Sequence, residues 1–422
     1  LRLARARLTQ ARAQTRAAAA LRWPSVNGSA AYQRERISPN ALRGLLGSAQ
    51  DGSNGAADGL VSSLGPLGTP FDLFQAGFDS RWELDLFGGI ARQNEAAAAN
   101  AEAAEEAGHG VQVSLTAEVG RNYLELATLR RRLEIAQQRL EIQRKVHQLA
   151  QVAYQEGLAG TLDVGRAQAE MEIAEAAVPN LQAQMQNTGH ALALLLGQPP
   201  AALDARLAGM AQTLPNAPAI PPGLPSDLLR RRPDIRQAER GLAAATAAIG
   251  AAVAELFPKL ALTGVAGFQS QDLGNFANLS SGFYGFGPRL SLPIFQAGRL
   301  LANIDTQEAK AAEALTLYEK TVLAALREVE DALAALVGEQ RRKQSLAAAA
   351  ATAKHNADAA LAIYTEGETG LETVLDAART WYDAQEQLAL SEHAWASGHV
   401  SLCKALGGGW NNEAGLIAPV AP

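Results

Sequence analysis

The sequence predicts an α+β membrane protein: a trimeric transmembrane β-barrel of 12 strands, four from each chain, continuous with a long α-helical coiled-coil barrel. Three observations carry this expectation. The chain is written twice, with a constant offset of 210 residues. Each copy holds a very long and a shorter helical segment. Between the helices lie four short segments of alternating polarity, too few to close on themselves.

The duplication fixes the architecture before any residue is given a role. Tyr154-Gln-Glu-Gly157-Leu-Ala-Gly160-Thr-Leu-Asp163-Val164 returns as Tyr364-Thr-Glu-Gly367-Glu-Thr-Gly370-Leu-Glu-Thr373-Val374. The same offset takes Glu118-Val119 to Glu328-Val329, and Leu192…Leu196-Gly197 to Leu402…Leu406-Gly407.

Gly88–Tyr154 lacks proline and carries Leu126, Leu129, Leu133, Ala136 and Leu140 at alternating gaps of three and four, a coiled-coil seam. Its partner runs from about Ala297 to Tyr364; each spans roughly 100 Å as helix. The return segments, Thr161–Leu196 and Leu371–Leu406, reach only about 55 Å. A further helix over Pro225–Leu256, about 48 Å, makes up the deficit when stacked on a return helix. The link carrying Pro199, Pro200, Pro215, Pro218, Pro221 and Pro222 cannot continue a helix and is expected to bulge at mid-height.

The strand segments are Trp23–Arg34, Phe78–Phe87, Phe257–Gln269 and Phe283–Phe295. In the second, Phe78, Ser80, Trp82, Leu84 and Leu86 alternate with Asp79, Arg81, Glu83 and Asp85. The third sets Leu260, Leu262 and Phe268 against Lys259, Thr263 and Gln269. In the fourth, Tyr284, Phe286, Leu290, Leu292 and Ile294 alternate with Gly285, Gly287, Arg289 and Ser291. Alternation alone fits a soluble sandwich as well as a transmembrane strand. Open edges favour the shared barrel, because lipid cannot satisfy unpaired N–H and C=O groups, whereas three chains supply a closed barrel. The charged row then faces a water-filled lumen. Pro24, Pro258 and Pro293 mark helix–strand joints, where no ladder hydrogen bond is needed.

Composition narrows the function. The 422 residues include 5% aromatics and carry a formal charge of −6, too modest to imply a nucleic-acid partner. No stretch approaches 18 uninterrupted apolar residues, so no transmembrane helix is expected. Cys403 stands alone and reads as a packed thiol on a helix. Arg230-Arg231-Arg232 reads as a solvated structural cluster beside Pro233. The six histidines lack metal spacing, and no phosphate-binding loop, dinucleotide fingerprint or nucleophile elbow occurs. No enzyme site, cofactor or metal is expected. The arginine-rich residues 1–22 repeat the Pro225–Leu256 helix from Ile235 onward, so Leu1-Arg2 enters it mid-helix; an upstream extension with the targeting signal is expected in the natural product.

The sharpest functional candidates are the two turns, Gly157–Gly160 and Gly367–Gly370, at the far tips of the helices. Beyond them the copies differ: Asp163 and Arg166 in the first stand where the second has Thr373 and Asp376. In a threefold assembly Asp376 recurs around the axis; as a plain helix-end acid it would favour the N-terminal dipole.

Trp82-Glu-Leu-Asp-Leu-Phe-Gly88, Leu224–Ile235, Leu292-Pro-Ile-Phe-Gln-Ala-Gly-Arg299 and Lys404-Ala-Leu-Gly-Gly-Gly-Trp410, with the duplication, resemble the outer-membrane factor family of TolC- and OprM-type efflux channels, notably its NodT-like branch, over nearly the whole chain. The resemblance implies a homotrimer in the Gram-negative outer membrane. It also implies a periplasmic adaptor, and an inner-membrane pump of the resistance-nodulation-division class that supplies the energy. The duct itself would be passive.

The domains it implies are residues 1–22, helical-barrel segment; 23–87, first barrel hairpin; and 88–198, first periplasmic helical repeat. Then come 199–224, equatorial linker; 225–256, helical segment; 257–295, second hairpin; 296–407, second periplasmic repeat; and 408–422, equatorial tail.

By the same resemblance the periplasmic tips form the gate. Asp376 matches one aspartate of the family's acidic ring, Thr373 replaces the second, and Thr369 stands where an arginine latch would be. Asp163 and Tyr364 match a carboxylate–tyrosine pair bridging the tips; Tyr154 is the copy-one equivalent of Tyr364. Lumenal Asp79, Glu83 and Asp85 imply a cation bias, partly offset by Arg81, Lys259 and Arg289. Relatives acylated on an N-terminal cysteine leave the lipid anchor open, since Cys403 cannot play that part. A type I protein-secretion duct and a heavy-metal efflux duct share the architecture. A soluble coiled-coil scaffold is the remote alternative, and it requires the apolar strand faces to be buried within one chain.

Overall fold

The computed structural model describes residues 1–36, 70–209 and 225–408. The expected proline-rich bulge lies largely outside them, as does nearly all of the 408–422 tail. In order come α1 (Arg2–Ala20), β1 (Ser25–Glu35), β2 (Phe71–Leu84), α2 (Gly89–Gln155), α3 (Thr161–Leu195) and the short α4 (Asp204–Ala208). Next are α5 (Pro225–Arg231), α6 (Pro233–Ala254), β3 (Lys259–Ser270), β4 (Gly282–Ser291), α7 (Arg299–Thr365) and α8 (Leu371–Ala405). Helices α2 and α7 have 67 residues each, α3 and α8 have 35 each. Their boundaries, 89 against 299, 155 against 365, 161 against 371 and 195 against 405, keep an offset of 210 throughout.

Three expected elements differ from the structure, and one is the fourth strand, which runs Gly282–Ser291 rather than Phe283–Phe295 because Pro293 cannot donate to a ladder. The helix over Pro225–Leu256 is broken at Arg232, because Pro233 lacks an N–H and disfavours helical geometry in the residue before it. The second strand runs Phe71–Leu84 rather than Phe78–Phe87. Asp85 has left the ladder: its carboxylate accepts from the N–H groups of Ile90 and Ala91, at 3.0 and 2.6 Å, and caps the start of α2.

The chain forms two compact units, a strand unit (Thr9–Ala101 and Gly241–Ala314) and a helical unit (Leu1–Leu8, Glu102–Arg240 and Leu315–Pro422). In the strand unit a single antiparallel sheet runs β1-β2-β3-β4. The register sets Phe78 opposite Gly28 and Ala266, and Ala266 opposite Tyr284. Asp79 on the other face lies opposite Asn27 and Val265.

In the helical unit the core is a series of small clusters rather than one mass. Val146, Ala150, Ala167, Ala360, Leu371 and Val374 form one; Leu126, Leu192, Ala193 and Leu203 form another. Alanine keeps the helices close at a small area of burial per contact. The seam holds at Leu126, Leu129 and Leu140, but Leu133 and Ala136 are half-buried and Ile135 takes the inner position. Ile135 packs with Ala378, Tyr382 and Ala389 of α8, so α2 meets neighbours on more than one flank. Cross-helix ion pairs add to this, Arg132 to Glu386 at 2.6 Å and Arg139 to Glu170 at 3.3 Å.

Two smaller expectations change. Arg230 and Arg231 are exposed, but Arg232 is buried, so one member of the arginine cluster is structural without being solvated. Cys403 does sit on a helix but is exposed; partial burial still pushes its thiol pKa up.

Candidate functional site: the paired helical turns and the amphipathic sheet

Each long helix ends in the same hydrogen-bonded turn. Gly157 N–H donates to Tyr154 O and Leu158 N–H to Ala153 O; Gly367 N–H donates to Tyr364 O and Glu368 N–H to Ile363 O. Both turns need a left-handed residue, with φ +76 at Gly157 and +80 at Gly367, which glycine adopts without a Cβ penalty. Gly160 and Gly370 instead stand as N-caps in extended backbone.

Past the turns the copies diverge chemically. The Asp163 carboxylate accepts from Gly160 N–H at 3.0 Å, closing the start of α3. Its carboxylate is thus engaged within its own turn rather than with Tyr364, which packs on the Val146–Leu371 cluster. At the matching place Thr369 donates its hydroxyl to Thr373 at 3.2 Å. Asp376 is exposed, as is Tyr154. Sequence reasoning missed one contact: Arg166 pairs across to Glu372 at 3.6 Å, joining the two copies. The exchange of charge between copies at 163–166 and 373–376 was the available signal.

The sheet has two chemically distinct faces. Val26, Ala30 and Tyr32, then Phe74, Phe78, Trp82 and Leu84, then Leu260, Leu262 and Phe268, and finally Tyr284, Phe286 and Leu290 share one face by register. Among the described residues nothing covers the outer part of this face: Phe286 is 86% and Tyr284 81% exposed. The scaffold alternative required these side chains to be buried, and they are not. Asp79, Arg81, Glu83, Lys259 and Arg289 share the opposite face. Asp79 accepts from Asn27 Nδ2 at 3.1 Å, and Glu83 and Arg289 flank Ala261 in one row. Asp85, counted in sequence among these charges, serves the helix cap. Strands β1 and β4 are the sheet's edges.

Pro24 and Pro258 each sit one residue before a strand, and Pro293 lies between β4 and α7, so all three stand outside the ladder. At these joints Trp82 Nε1 donates to Arg22 O at 2.9 Å, and Phe87 stacks on Phe257 at 4.8 Å. Among the described residues no helix is long and apolar enough to cross a membrane, and no cluster could hold a metal.

A sheet with one bare apolar face, one charged face and unpaired edges, in a chain with paired 67-residue helices, is the fold of an outer-membrane channel protein. A solved structure of the outer-membrane channel OprN superposes with a TM-score of 0.83 at 35% identity, covering 97% of this chain and 86% of that one. A model of the outer membrane efflux protein family matches residues 1–198 and 224–408. The probable efflux pump outer membrane protein TtgC of Pseudomonas putida is 32% identical over 98% of this chain and 81% of its own. OprJ, an outer membrane protein of Pseudomonas aeruginosa, is 34% identical over 96% and 81%. The chain belongs to the outer membrane efflux protein family.

Proposed function

We propose that the chain is one third of a passive outer-membrane exit duct that releases small organic molecules delivered by an energised inner-membrane pump through a periplasmic adaptor. The observation that carries this reading is the bare apolar face of a four-stranded sheet whose two edges have no partner strand among the described residues. Three such sheets joined edge to edge close a barrel of about 12 strands, which removes every edge from lipid.

The dimensions support the same reading. From Phe74 to Leu84 the apolar face runs about 33 Å along the strand. Tilted at about 45° this is roughly 23 Å of height, close to the apolar band of outer-membrane barrels. Beyond Phe74 the face turns polar, with Tyr32 donating to Asp72 at 2.9 Å and Arg34 near the same carboxylate. The charged face then lines water, with Asp79 and Glu83 set against Arg81, Lys259 and Arg289. With Asp85 held in the helix cap, two acids stand against three bases, so the cation bias that the sequence implied is lost.

The 210-residue offset of the helices supports an internal duplication, with two helical hairpins per chain and six tips per trimer. The tips form the periplasmic gate. Asp376 recurs three times around the axis, Tyr364 packs beside the turns, and Arg166–Glu372 steadies each pair of turns. TtgC, OprJ and the solvent efflux protein SrpC are named as efflux or outer-membrane components, which supports a pump partner and organic cargo for this chain as well.

The test is the particle mass by light scattering, with and without detergent. A particle of about three times the 44.3 kDa chain that aggregates when detergent is removed supports the shared barrel. A stable detergent-free monomer or dimer overturns it.

A further inference from the structure

In the helical unit, α2, α7 and α8 enclose a groove of about 280 Å³. Its floor is alanine, Ala347, Ala350 and Ala351 of α7. One wall is a single face of α8, where Trp381, Gln385, Leu388 and Glu392 recur at gaps of four, three and four. Small floor residues beside an indole leave room for a flat body, and the volume suits a compact small molecule.

The charge lining the groove is not balanced. Arg131 is paired with Glu134 at 2.6 Å, and Lys354 with Asp358 at 2.9 Å. Glu392 has no ion pair or hydrogen bond among the described residues. The charged group left over is therefore one carboxylate, beside an aromatic ring. That ring already draws a cation, since Lys354 Nζ lies 5.7 Å from the Trp381 centroid.

We propose that this groove binds amphipathic organic cations. The flat apolar body lies on Trp381 and the alanine floor, and the positive nitrogen faces Glu392. An anion would be repelled by Glu392, and a purely apolar molecule would leave that carboxylate desolvated and unpaired. The inference goes beyond the duct reading and does not depend on it, because binding here needs no open pore.

The probe is ethidium, titrated into the detergent-purified full chain and followed by dye anisotropy and tryptophan quenching. One saturable dye per chain is expected. Glu392→Gln, isosteric at a half-buried position, weakens it about tenfold. Ala351→Leu narrows the groove at an exposed position and weakens it as well. Trp381→Phe removes most of the quenching, and the anion anilinonaphthalene sulfonate does not compete. The proposal is overturned if both Glu392→Gln and Ala351→Leu bind like the parent, or if the anion displaces ethidium. It is equally overturned if no saturable binding occurs, the outcome expected when a helix of a second copy fills the groove.

Discussion

Arg232 Nη2 lies 2.8 Å from Glu328 Oε2, and this arginine is only 7% exposed at the break between α5 and α6. It also holds Asp234 through two bonds, at 2.7 and 3.1 Å, and donates to Ala405 O at 2.8 Å. Burial opposes its charge, but the hydrogen bonds to Asp234 and Glu328 outweigh that and raise its pKa. One side chain thus joins the broken helix to α7 and to the last turn of α8.

Arg232→Ala should lower the unfolding free energy by about 2–4 kcal/mol, because Ala405 O and Asp234 both lose their donor. Glu328→Gln should cost under about 1 kcal/mol, since Glu328 is half-exposed and Asp234 remains. Denaturant unfolding of the purified chain measures both, and equal losses would refute the central position given to the guanidinium.

The Arg166–Glu372 pair is solvent-exposed, so Arg166→Ala should change stability by no more than about 1 kcal/mol. Its effect belongs on the gate. Bilayer conductance should rise in Arg166→Ala, and likewise in Asp376→Ala and Tyr364→Phe. Parental conductance in all three removes these residues from gating.

The glycines of the turns should separate by backbone geometry. Gly157→Ala and Gly367→Ala force an L-residue to positive φ and should each cost about 1 kcal/mol. Gly160→Ala and Gly370→Ala, at negative φ, should cost appreciably less. A ranking that puts Gly160 or Gly370 first would contradict the turn geometry.

Asp85→Ala should act on the helix before it acts on ions. Losing the cap bonds to Ile90 and Ala91 should cost about 1 kcal/mol and speed hydrogen exchange in the first turn of α2. Reversal potentials in a salt gradient should move little. A large shift toward anion selectivity with unchanged exchange would restore Asp85 to the lumenal charges.

Burial pushes the Tyr382 phenol well above its ordinary value of 10.0. A raised folded pKa favours the neutral form, so the stability it contributes is complete below about pH 10 and is lost as pH rises through the folded value. In an ultraviolet titration Tyr382→Phe should remove the last tyrosine to ionise. Loss of an early-titrating tyrosine instead would contradict its burial.

Most of the architecture was legible in the sequence because it depends on period and offset. The 210-residue repeat, the proline-free run before Tyr154 and the polarity alternation in β2 and β4 are properties of neighbours along the chain, and each maps onto a helix or a strand face. Period alone could not set ends. Whether Asp85 is the last strand residue or a cap depends on two amide donors that exist only once α2 has formed. The fate of Arg232 likewise turned on partners 96 and 173 residues away, which make a buried charge tolerable. Arg166–Glu372 and the groove beside Trp381 also assemble side chains from separate helices. The sequence by itself determined which faces are apolar and where the chain turns, since local chemistry dictates both. Tertiary structure alone decided which charges are paired, capped or left over, because that depends on distances that no spacing along the chain encodes.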